Sequence, residues 1–157
     1  MEAHTAQVAD PGSLNRLAVS ATTHCLTGCA IGEVLGMAIA TALGWGNAGQ
    51  IALAVGLAYV FGFGLTARPL IKAGLAASVV VSTALAADTV SITIMEAIDN
   101  LTVVLVPGAM EASVTEPLLY ASIAGGFAIA YPFAFLANRY MIARGKGHAV
   151  VHEHHRA

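Results

Sequence analysis

Ala86–Asn100 reads AADTVSITIMEAIDN, and it lies inside an apolar run from about Ser78 to Val106. That run is long enough to cross a bilayer as a helix. It nevertheless holds Asp88, Glu96 and Asp99, together with Ser91, Asn100 and Thr102. On insertion scales, three acids at the centre of a span cost roughly 9 kcal/mol, against about 5 kcal/mol returned by ten flanking Val, Ile and Leu. The segment therefore belongs inside a bundle, not against lipid. At about 100° per residue, Asp88, Ser91, Met95, Asp99 and Thr102 share one arc with Glu96 beside it, while Val90, Ile94, Leu101 and Val104 point away. One polar stripe on an apolar helix suits an inward-facing ion site. Protonated or hydrogen-bonded acids that only hold helices together would leave the same pattern.

The chain as a whole supports a membrane setting. Of its 157 residues, 57% are hydrophobic and 10% charged, with a mean hydropathy of +0.76. Soluble domains carry about 25% charged residues. A net charge of −2 speaks against a nucleic-acid partner. Two cysteines make no disulfide framework, and no basic start followed by a short apolar core points to a cleaved signal.

The reading in order is an all-α, four-helix integral membrane bundle. Residues 1–20 form a polar leader with Pro11-Gly12. The membrane domain is expected over 21–142, with helices at about 22–45, 50–66, 78–106 and 117–141. Gly44-Trp45-Gly46-Asn47, Arg68-Pro69 and Pro107-Gly108 mark the breaks. Glu116-Pro117 opens the fourth helix and Pro132 kinks it. Residues 143–157 form a His-rich tail. The basic residues Arg16, Arg68, Lys72, Arg139, Arg144, Lys146 and Arg156 all fall on one side of a four-span chain, which places both termini in the cytoplasm. Gly28, Gly32 and Gly36, with Gly62, Gly64 and Gly125-Gly126, allow close helix approach, and a homodimer through glycine-rich faces is one use of them.

The first helix adds candidate ligands. Cys25 and Cys29 are four apart and share a face, with His24 adjacent and Glu33 a turn further on. Met37 continues the Glu33 side one turn up, and thiolate, imidazole and thioether together suit soft or borderline cations such as copper or zinc. With helix one entering near Thr22 and helix three near Ser78, a rise of ~1.5 Å per residue puts Glu33 and Asp88 at one depth, near mid-bilayer. The expected metal set is His24, Cys25, Cys29, Glu33, Asp88, Met95, Glu96 and Asp99, with metal capture by His148, His152, His154 and His155 in the tail. No basic residue lies inside the membrane to pair with the acids, which favours a bound cation or protons over salt bridges.

ATTHCLTGCAIGEVLGMAIATALGW (Ala21–Trp45), LAADTVSITIMEAIDN (Leu85–Asn100) with VPGAMEA, and NRYMIARGKGHAVVH (Asn138–His152) resemble a family of small bacterial four-span membrane proteins, DUF4396. The resemblance implies a four-helix membrane fold in the bacterial inner membrane and brings no activity or site residues with it. The leading expectation from the residues is a protein that binds or moves a transition-metal cation. A membrane scaffold or accessory subunit is one alternative. A quinone-linked thiol oxidoreductase is another, although CxxxC on a helix turns the Cβ directions poorly for a disulfide. Hydrolytic catalysis has no support, since HExxH, a nucleophile elbow and a phosphate-binding glycine loop are all missing.

Overall fold

The computed structural model describes residues 11–72 and 74–144. These form four helices, α1 Pro11–Ala42, α2 Asn47–Lys72, α3 Ala77–Leu105 and α4 Pro117–Ala143, with no strand among the described residues. Each is long and apolar enough to cross a membrane. The chain runs up and down, each helix packed on its neighbours in the order α1, α2, α3, α4, with α1 closing the ring onto α4. α1 also touches α3 across the diagonal. That diagonal contact positions the site.

The inter-helix turns follow from local chemistry. At the end of α1, Gly44 adopts φ 70°. The Trp45 N–H then reaches the Ala40 carbonyl at 2.9 Å and the Gly44 N–H reaches Thr41 at 3.0 Å. This is a Schellman cap, which needs a left-handed residue that glycine supplies without strain. Gly74, at φ 78°, ends α2 in the same way. α4 starts on Pro117, whose missing N–H costs nothing at a first helical position.

Two helix boundaries differ from expectation. α1 begins at Pro11, so residues 11–20 of the expected leader are helical. Ala18 and Ala21 are buried there against Ile142 of α4, and this packing extends the helix beyond its apolar span. α2 continues through position 69 to Lys72, nearly two turns past the expected stop. Leu70, fully buried with Val80 and Ala87, draws that last turn in. Tertiary burial outweighs the single backbone hydrogen bond that a proline removes.

The glycine stripe of α1 is spent inside the chain. A Cβ on Gly28 would lie 2.7 Å from Gly62 Cα, and Cβ atoms on Gly32 and Gly36 would run into the backbones of Ala58 and Ala54. The α1–α2 backbones therefore meet at glycine distance, the mode by which small residues drive membrane helix packing. Gly56, Gly64 and Gly125 have open space where a Cβ would go.

Exposure is inverted relative to a water-soluble bundle. Leu105, Val60 and Leu136 are more than 60% exposed, whereas Glu33, Asp88 and Asp99 are 0% exposed. An apolar outside around a polar core suits lipid and not water.

Candidate functional site

The polar residues of α1, α3 and α4 meet along the α1–α3 diagonal in two clusters, one above the other. At the lower level, near the chain ends, Asn138 of α4 is fully buried. Its Nδ2 donates to Thr22 Oγ1 on α1 and to Ser91 Oγ on α3, each at 3.0 Å. Thr22 in turn donates to the Ala18 carbonyl at 2.7 Å. Beside this tie, the Cys25 thiol donates to Asp88 Oδ1 at 3.5 Å, and Ser91 adjoins the same thiol. One amide thus joins three helices around a thiol–carboxylate pair.

The upper cluster holds the other acids. Glu33 of α1 faces Glu96 and Asn100 of α3, and Cys29 lies against Glu96. Asn100 Nδ2 donates to the Glu96 carbonyl at 3.0 Å and to Glu96 Oε2 at 3.3 Å. Asp99 is pressed on the α4 backbone, its Cα only 2.8 Å from where a Cβ on Gly126 would stand. Among the described residues, both oxygens of Glu33, both of Asp99, Glu96 Oε1 and Asn100 Oδ1 have no hydrogen-bond partner. Buried polar atoms are seldom left so, and a cluster of them calls for a specific account.

Among the described residues, no basic side chain stands at this level. Arg16 is seventeen residues below Glu33 on α1, about 25 Å along a helix. Arg139 donates to Asn15 Oδ1 at 2.7 Å, and Arg144 stacks on the Tyr140 ring at 4.1 Å. Both are held at the chain ends.

The expected residues separate as follows. Glu33 does not meet Asp88; it meets Glu96, while Asp88 meets Cys25. α1 begins at Pro11 and not near Thr22, and the helices are offset so that Cys25 stands level with Asp88. Met95 is buried, but in the apolar cluster with Ile92 and Val103. His24 is half-buried on the lower turn. His148, His152, His154 and His155 lie outside the described residues. Among the described residues, no three His, Cys, Asp or Glu side chains form a group able to hold a metal ion. The arrangement therefore offers pairs and does not fit the three or four protein ligands typical of a transition-metal centre. Asn138 and Thr22 escaped the sequence reading. The available signal was an amide in an otherwise apolar helix, but it sits next to Arg139 and so reads as the membrane edge.

Both cysteines are buried, and each is directed to a different α3 acid. That geometry lends nothing to a dithiol–disulfide cycle. A separate groove of about 590 Å3 between α1 and α4, walled by Leu26, Ala30, Ile123, Phe127 and Tyr131, is apolar and opens away from the acids.

Four apolar helices enclosing a buried acidic seam define a multi-pass membrane protein with its polar chemistry on the inside. The chain belongs to the family described as "Domain of unknown function (DUF4396)", whose profile matches residues 15–147. No curated protein and no solved structure matches it.

Proposed function

We propose that this protein binds a cation within the membrane and passes it along the acidic seam, in the inner membrane of a bacterium with both chain ends cytoplasmic. The observation that carries the reading is the Glu33–Glu96 pair. Two carboxylates, 0% and 4% exposed, face one another with no basic side chain at their level among the described residues. Isolated buried charges of one sign are too costly to keep, so the pair needs a positive partner from outside the chain. The orientation is supported by Arg16, Arg68, Lys72, Arg139 and Arg144, which fall at the end where α1 begins and α2 and α4 finish.

A metal cation and a proton both meet that need. Copper or zinc is favoured by Cys29 beside Glu96, since thiols select soft and borderline ions. The missing third ligand stands against a fixed centre. Elemental analysis of the detergent-purified chain without a His tag, beside the Glu33→Gln, Cys29→Ser double variant, tests the metal. Stoichiometric copper or zinc in the wild type alone supports it; none in either, after loading, removes it.

A second reading is a scaffold whose polar groups only fasten helices. The Asn138 tie between Thr22 and Ser91 favours it. It predicts that Glu33→Gln and Glu96→Gln change stability and no cation response.

A further inference from the structure

The upper cluster is more specific than a general cation seam. This inference rests on the cation reading just given and names the cation. We infer that Glu33 and Glu96 hold a single exchangeable proton between them, making the pair a proton-binding station inside the bundle.

Glu33 Oε1 and Oε2 and Glu96 Oε1 are buried and, among the described residues, without hydrogen-bond partners. Glu96 Oε2 receives one weak contact, at 3.3 Å, from Asn100. Two carboxylates facing each other away from water do not both stay ionised, and a proton held by one can be accepted by the other. The groups that meet the pair are the Cys29 thiol on α1 and, on α3, the Asp99 carboxyl and the Asn100 amide, whose Nδ2 donates to Glu96 Oε2. α4 presents the backbone of Gly126 and Phe127, and α2 presents Ala54 and Ala58 at the glycine contacts of α1. The groups that titrate around the pair are therefore Cys29 and Asp99 alone. A metal with a preference for three or more side chains finds no such group among the described residues, whereas a proton needs only one oxygen lone pair on each side.

Exchange at this station is balanced simply. One O–H bond breaks on one carboxyl as one forms on the other, and one proton enters from one aqueous side for each proton that leaves to the other. In the lower cluster, Cys25 and Asp88 stand eight residues below Glu33 and Glu96 on their helices, about 12 Å away. Along α3, Ile92 and Met95, both 0% exposed, fall between Asp88 and Glu96. The two levels are thus distinct stations along one seam, with Cys29 of α1 beside Glu96 on the side of Cys25.

The test uses the full chain in liposomes. Proton uptake is read by an internal pH dye with potassium and valinomycin as charge balance, and zinc and cuprous uptake by metal dyes in parallel. Infrared difference spectra across pH report the protonated-carboxyl band. The expected result is one such band and a proton flux, with Glu33→Gln and Glu96→Gln each removing the band and lowering the flux about 10²-fold. Asp88→Asn keeps the band. Persistence of the band in both glutamine variants overturns the shared proton. Metal uptake without proton uptake overturns the proton and leaves the cation reading standing. Neither uptake overturns both. The wild-type band is decisive even where a glutamine variant does not fold, since its absence at every pH contradicts the station.

Discussion

Cys25 of α1 and Asp88 of α3 are joined across the bundle at an offset of 63 positions, and the same offset brings Glu33 to Glu96. Two parallel helices that carry polar residues eight apart meet twice when their register matches. The register turns scattered acids into two stacked pairs, and all four of these residues are buried as a result. A slip of one turn, about four residues, would set Glu33 against Ile92 in one direction and Asn100 in the other.

The lower tie predicts a stability effect without a charge change. Asn138→Leu removes two buried hydrogen bonds and leaves Thr22 Oγ1 and Ser91 Oγ short of a donor. Membrane hydrogen bonds average about 0.6 kcal/mol each, and the variant is expected to lose about 1–3 kcal/mol. Reversible unfolding in mixed detergent micelles measures it. A variant as stable as wild type would show that the three-helix tie contributes nothing.

The glycine contact between α1 and α2 predicts a sharp positional contrast. Gly32→Val drives a side chain into Ala58 and is expected to cost about 2–4 kcal/mol or prevent assembly. Gly125→Ala meets open space and is expected to stay within about 0.5 kcal/mol of wild type. Thermal unfolding of the two variants in one detergent checks the contrast, and equal effects would contradict the packing.

Gly126→Ala tests the seat of Asp99. A methyl there collides with the Asp99 Cα and side chain, so α4 must move out or Asp99 must turn away. The expected outcome is a loss of about 1–3 kcal/mol, with part of it recovered by adding Asp99→Ala. No recovery in the double variant would show that the two positions do not touch.

Much of this was legible in the residues. The four spans follow from hydropathy and breakers, and the stripe on α3 from its period. Asp88, Ser91, Met95 and Asp99 are all buried, while Val90, Leu101 and Val104 face outward. The glycine spacing of α1 correctly announces a close helix contact, though its partner is α2 of the same chain. What could not be read was the register between α1 and α3, because hydropathy locates a span to a few residues and a helix advances a full turn in less than four. The first turns of α1 were missed for a related reason: residues 11–20 are polar in sequence and become helical through Ala18 and Ala21 packing on Ile142. The same blurring hid Asn138, whose partners come from two other helices.

The most direct test of the account is a double-mutant cycle on Glu33→Gln and Glu96→Gln, with folding free energy read in one detergent at one pH. Two carboxylates that face each other and share a positive partner are expected to be non-additive, with a coupling of about 0.5–3 kcal/mol. Additive effects within about 0.3 kcal/mol would contradict the pairing and, with it, the seam as a cation site.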